Sequence, residues 1–269
     1  MTMREVYTNP PIVLMVIEIR HVPCAPLNTR QITQMTAAVR SELPIPDEIS
    51  EVSVTIQSGP GGQPIQSQVV TKHPRWVSRN KRTALTIRQD CVLLETTEYE
   101  RYERVRGLLA LALRARMSVE KPAGVARIGL RYIDEIRVPS KDDEMEPDWG
   151  QWVDSSLLGP RAIKDAGLTE LRNEGLTLFA GVDGKRLALR YGAQDDYAVQ
   201  STPQLRRPLP PPGPLFKFDV DSFWQQESEV PEFDYDFILR CADQLHEPVD
   251  AVFENLITDR LRNEVLRRA

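Results

Sequence analysis

The chain has 269 residues, 41% of them apolar and 27% charged, with a formal net charge of −5. That size holds a hydrophobic core without disulfides or metal, as one large domain or two modest ones, and the composition excludes wholesale disorder. The acidic balance argues against a general nucleic-acid binder, which carries a basic excess to displace counterions from phosphate. Local basic patches stay open, for instance Arg75, Arg79, Lys81 and Arg82.

No run reaches the roughly 20 apolar residues of a membrane span, and the longest candidate, Pro11 to Ile19, is closed off by Glu18 and Arg20. The start at Met1-Thr-Met lacks the order of a secretory leader. Cys24, Cys91 and Cys241 are far apart and odd in number, so a disulfide framework is not expected. The expectation is a cytoplasmic protein.

A strand is predicted from about Ile12 to Val22, apolar on both faces at first and ended by Pro23 and Pro26. Asn28 or Thr29 caps a helix to about Glu42, with Ile32, Met35, Ala38 and Val39 at helical spacing. Glu51 to Gln57 alternates as a strand, and Ser58-Gly-Pro-Gly-Gly reads as a turn that lacks the Gly-Lys-Ser/Thr ending of a phosphate loop. Further strands follow at Arg75 to Ser78 and across Thr83 to Thr97, the latter a hairpin turning near Gln89 and Asp90. Thr97 and Glu100 have capping-box spacing, which predicts a helix with Tyr102, Val105, Leu109, Ala112 and Leu113 on its buried stripe.

Ala126 to Val138 is the most strand-like run, and its decoration is unusual. Alternation puts Ile128, Leu130, Tyr132, Asp134, Ile136 and Val138 on one face, and Arg127, Gly129, Arg131, Ile133, Glu135 and Arg137 on the other. Arg127 and Arg131 flank a glycine, so their guanidiniums could converge on a ligand's or partner's acid, or simply pair with Glu135 and acids of neighbouring strands. Asp134 falls in the apolar register. A buried lone carboxylate is costly, so a bulge, an exposed strand end, a buried arginine or backbone amides must account for it.

The acidic loop 140–150 marks the expected division between an N-terminal half, 1–139, and a C-terminal half, 151–269. Short helices are predicted at Trp152 to Leu158 and Ile163 to Ala166. Strands at Leu171 to Ala180 and Lys185 to Tyr191 flank the hairpin signal Val182-Asp-Gly184. The proline-rich link 203–214 reads as an extended connector that nearly spells an SH3-type ligand, and Leu215 to Asp221 follows as a strand. From Asp234 a helical phase runs through Pro248 toward Leu261 and Val265, predicting one kinked helix.

Catalytic motifs are missing from this pattern. His21 and Cys24 are the only close His/Cys pair, and no Gly-x-Ser-x-Gly elbow or Gly-x-Gly-x-x-Gly follows a strand. No cofactor or metal is implied. His246, with Asp243 or Asp250 to orient it, reads either as a general base or as a structural histidine.

Arg127-Ile-Gly-Leu-Arg-Tyr-Ile-Asp134, the Tyr7-Thr-Asn-Pro-Pro-Ile12 opening, and Leu245-His246 followed by Phe253 and Ile257-Thr258 together resemble a sporadically distributed, uncharacterised bacterial family of about this length. Its hallmark resembles Arg-x-Gly-x-Arg-Tyr-x-Asn, from which Asp134 departs. The resemblance covers the whole chain and implies an accessory or defence-linked role without naming an activity.

The expected fold is α+β, with two similar halves, each an antiparallel sheet of about three or four strands under one long helix. The expected function is a non-enzymatic protein-binding factor of antitoxin-like, immunity or chaperone-like kind. One alternative is an enzyme or small-molecule binder using Arg127, Arg131, Tyr132, Asp134 and His246 in a shared pocket. A nucleic-acid accessory factor is the other.

Overall fold

In the computed structural model of the chain, residues 7–58, 64–139, 147–159, 172–226 and 229–268 are described. Nine strands form one continuous antiparallel sheet in the order β2-β3-β4-β5-β1-β6-β9-β8-β7. They are β1 (Ile12–His21), β2 (Ile45–Ser58), β3 (Pro64–Val77), β4 (Thr83–Ile87), β5 (Cys91–Thr96), β6 (Val125–Ile136), β7 (Glu174–Ala180), β8 (Lys185–Gln194) and β9 (Leu215–Gln225). The α+β class stands, but the strands on either side of the acidic loop share one sheet, because β6 before the loop pairs with β9 after it. Residues 140–146 of that loop, and the expected helix at Ile163 to Ala166, lie outside the described residues.

The helices α1 (Thr29–Val39), α2 (Tyr102–Val119) and α3 (Tyr235–Leu256) lie in a row on one face, α1 against α2 and α2 against α3. Apolar alternation explains the arrangement. Met15, Ile17 and Ile19 of β1, Ile128 and Leu130 of β6, and Phe218 and Val220 of β9 are all buried, and the predicted stripe of α2 meets them. Asn28 caps α1 through a reciprocal capping box with Gln31. Trp76 of β3 ties α1 down by donating from Nε1 to Thr36 Oγ1 at 2.8 Å.

Two predicted helix limits are corrected. The Thr97–Glu100 capping box does not form, and α2 starts after Arg101 without a side-chain cap. The Thr97 hydroxyl instead donates to the carbonyl of Arg206 at 2.5 Å, so tertiary structure takes the group that local pattern assigned to the helix. The last helix contains Pro248 as expected but stops at Leu256. Ile257 is extended and bridges Val153, and Thr258 then caps a separate turn, α4 (Asp259–Leu261). The helix expected from Trp152 is two 3-10 turns, Trp149–Gln151 and Ser155–Leu157, which bury Trp149 and Leu157.

The other sheet face carries no helix among the described residues. Among the described residues its cover is the proline-rich connector, which crosses the end of the sheet as a strap. The Arg206 N–H donates to the Lys81 carbonyl at 2.7 Å, and Arg137 donates to the carbonyls of Pro211 and Gly213 at 3.2 and 3.3 Å.

Candidate functional site

Strand β6 carries four of the five sequence-selected residues and α3 the fifth, and the sheet separates them onto opposite faces, so they do not share a pocket. Arg127 and Arg131 lie on the open face, whereas Tyr132, Asp134 and His246 lie under the helices.

Arg127 folds back over its own strand. A Cβ on Gly129 would stand 2.3 Å from Arg127 Nη1, so the Arg-x-Gly spacing is a single packing unit. The guanidinium donates to Glu18 at 2.8 Å and to Asp221 at 2.9 Å, and lies 4.7 Å from the Phe223 ring centroid. Arg131 forms a fork on Asp219, with both bonds at 2.6 Å. Asp219 is buried, which alone would raise its pKa. The hydrogen bonds and charge of Arg131, with Lys217 and Arg190 nearby, hold it below the ordinary value instead. Both arginines therefore spend their charge on acids of β1 and β9. Of the acids expected to answer them, those of neighbouring strands do so, while Glu135 is claimed by the strap: Arg207 donates to it twice, at 3.0 and 2.9 Å, and Arg137 and the Ala198 N–H add bonds at 2.9 Å each.

On the covered face Tyr132 and His246 share a 2.7 Å hydrogen bond between the phenol and Nδ1. The imidazole stacks on Tyr102 with centroids 3.8 Å apart. Asp243 accepts from Tyr102 at 3.0 Å and from Arg106 at 2.6 and 2.9 Å. Asp243 thus holds α2 to α3, and His246 is a clamp between β6, α2 and α3, buried with both of its ring partners. Asp134 is 4% exposed and, from an ordinary value of 3.8, has a pKa pushed up to about 7 by burial and by the charge of Asp219.

Other chemistry is equally confined. Burial raises the thiol of Cys91 to about 12 and that of Cys241 to about 11, so neither is an activated nucleophile. Among the described residues no group of three or more His, Cys, Asp or Glu is arranged to hold a metal, and no helix is long and apolar enough to cross a membrane. The basic stripe suggested for nucleic acid does not assemble. Arg75 is buried against Glu95 at 2.8 Å, and Arg82 pairs with Glu98 at 3.1 Å.

The exposed feature that sequence reasoning missed is the outer strand β7. Leu176, Leu178, Phe179 and, in the following turn, Val182 are 62, 60, 47 and 72% exposed, and among the described residues no strand pairs with the outer edge. No charge interrupts residues 175–182. The hairpin behind it was legible: Asp183 and Gly184 have φ of 54° and 74°, as the Asp-Gly signal requires. That β7 ends the sheet is a property of topology, and only the charge-free run hinted at it.

No protein-family model matches the chain, and no curated protein matches it.

Proposed function

We propose that this protein is a non-enzymatic, protein-binding factor that accepts an extended segment of its partner along the outer edge of β7. The observation that carries the reading is the unguarded edge itself. A strand edge offers unpaired N–H and C=O groups to any other chain, and proteins that must stay apart defend such edges with charge, proline or cover. Between Gly175 and Val182 β7 carries no charge or proline, among the described residues nothing covers its outer edge, and it exposes large apolar side chains on both faces. Strand addition is an established mode of recognition in which backbone bonds supply affinity and alternate side chains supply choice.

The strand order supports a finer reading in which the chain is two related halves. Outward from the centre, β1, β5, β4 and β3 correspond to β6, β9, β8 and β7, and α2 corresponds to α3, which puts the division between α2 and β6 and not at the acidic loop. The first half continues to one more strand, β2, on the outer edge of β3. Among the described residues the second half has no such strand on β7. The partner segment takes the place that β2 occupies in the first half, antiparallel to its neighbour. An accessory component of the antitoxin, immunity or chaperone kind, acting in the cytoplasm, is the role this fits.

The test is affinity capture with the wild-type chain, with Leu178→Lys, and with Val52→Lys on the opposite edge. A specific partner retained by the wild type and by Val52→Lys but lost from Leu178→Lys supports the reading. Identical capture by all three proteins overturns it.

A further inference from the structure

Resting on that reading, we infer that the segment accepted by β7 is acidic on one face, running antiparallel to β7 and setting a carboxylate against Arg190.

On the open face, Leu176 of β7 stands opposite Arg190 of β8, and Gly192 stands opposite Lys217 of β9. These residues, with Glu174 and Gln194, line an open cleft of about 350 Å³. Arg190 is exposed and stands opposite Asp219, whose carboxyl its charge helps to hold ionised, but among the described residues it makes no ion pair or side-chain hydrogen bond of its own. The other charges in the cleft are already engaged: Glu174 pairs with Arg172 at 2.7 Å, and Lys217 pairs with buried Asp219 at 3.6 Å. Gly192 contributes only backbone between Arg190 and Lys217, so the two cations face the same space. A strand added to β7 lies roughly 10 Å from β8, a gap that an arginine and a glutamate side chain bridge end to end across Leu176.

The opposite edge supplies an internal precedent. β2 is an acidic strand seated on a more basic one. Glu48 pairs with Lys72 at 2.7 Å, and Glu51 meets His73 at 3.3 Å and Arg88 at 3.2 Å. Glu48 and Glu51 lie on opposite faces of β2, so what carries over to β7 is the pairing of an added strand's acids with its neighbours' bases, there confined to the open face, with acids toward Arg190 and apolar side chains toward Phe179. Because side chains alternate with period two, the charge also fixes register: a one-residue slip turns every acid to the wrong face. A second copy of this chain fits less well, since β7 itself brings no acid between Gly175 and Val182 to meet Arg190.

The experiment uses the full chain and three blocked synthetic peptides in which valine alternates with glutamate, glutamine or lysine. Fluorescence anisotropy gives affinity, and hydrogen exchange of the β7 amides reports where the peptide sits. The glutamate peptide is expected to protect β7 and to bind about tenfold tighter than the glutamine peptide, with the preference shrinking as salt rises. Arg190→Glu, at an exposed position, should abolish that preference or turn it toward the lysine peptide. Equal binding of the glutamate and glutamine peptides, with β7 protected in both, overturns the inference and leaves strand addition standing. No β7 protection by any peptide overturns both. Concentration-dependent self-association that protects β7 makes a second copy the occupant, and the inference then fails.

Discussion

Asp134 and Glu135 are adjacent acids on one strand, both buried, and they meet opposite electrostatic fates. Glu135 points to the open face, where burial alone would raise its pKa. Hydrogen bonds from Arg207, Arg137 and the Ala198 N–H outweigh that penalty and hold it below the ordinary carboxylate value. Asp134 points under the helices, between cross-strand neighbours Ile12 and Phe218, with no cation bonded to it, and it is driven up to about 7. The contrast shows that burial sets only the stakes for a charge. Its partners decide whether the ion or the neutral acid is the stable form, and here a one-residue step along a pleated strand exchanges one set of partners for another.

The largest expected effect tests the Glu135 side. Glu135 and Arg207 form a buried ion pair that also anchors the strap, and removing Arg207 takes away two of the bonds to a buried carboxylate, leaving only Arg137 and the Ala198 N–H to compensate it. Arg207→Ala should therefore cost about 3 to 5 kcal/mol in urea unfolding. A double replacement by apolar residues of similar volume should restore much of that loss. If Arg207→Ala changed the unfolding midpoint no more than a surface substitution does, the strap would be a passenger.

Asp134 should give a smaller effect of the opposite sign. Its folded pKa lies above its unfolded value, so the folded state holds a proton that the unfolded state has released. The resulting stability is fully present below about pH 4 and is lost as pH rises through about 7. Glu135 works the other way, its contribution being present above its unfolded pKa and lost as pH falls through the depressed folded value. Asp134→Asn should flatten the alkaline limb and stabilise the protein at pH 8 by a few kcal/mol, on the order of 4 at most. A neutral amide there is what a buried site without a cation favours. Unchanged stability between pH 5 and 8 in the wild type would refute the assignment.

A third, smaller effect concerns the arginine neighbouring these acids on the open face. Gly129→Ala puts a methyl group where the Arg127 guanidinium lies, so either the ion pairs with Glu18 and Asp221 shift or the strand does. A loss of about 1 to 3 kcal/mol is expected, as for overpacking elsewhere. The double change Arg127→Ala with Gly129→Ala should cost less than the two single losses added together, because the first removes the clash made by the second.

The legible parts of this molecule are those where local pattern and tertiary structure agree. The period-two runs of β1 and β6, the stripe of α2, the Asn28 cap and the Asp-Gly hairpin each follow from a few consecutive residues. The misreadings arise where a distant segment intervenes. Thr97 has a capping pattern, yet its hydroxyl is taken by the strap more than a hundred positions away. The strands expected from Glu51 and from Arg75 start earlier, at Ile45 and Pro64, so that Pro46 and Pro74 sit inside the β2–β3 ribbon. The outer strand β2 tolerates a missing N–H, and Pro74 lies where β4 no longer pairs with β3. The candidate site was half legible for the same reason. That Arg127 and Arg131 share a face, with Asp134 opposite, follows from alternation alone. That β1 and β9 bring Glu18, Asp219 and Asp221 to those arginines depends on strand order, which no local pattern encodes.

The smallest expected effect on stability bears most on function. On β6 a change at either acid is read in the unfolding free energy, because each is buried. Leu178 of β7 is exposed and lies at the end of the sheet, so Leu178→Lys should move stability by no more than about 0.5 kcal/mol. The same lysine gives the β7 edge a charge of the kind that the first part of β2 carries on the opposite edge at Asp47, Glu48 and Glu51. Thermal unfolding that is unchanged together with lost partner binding would separate a surface kept bare for recognition from one that packs against the protein itself. Strong destabilisation by Leu178→Lys would mean that β7 is covered by the chain's own packing, and the contrast between its two sheet edges would then carry no functional meaning.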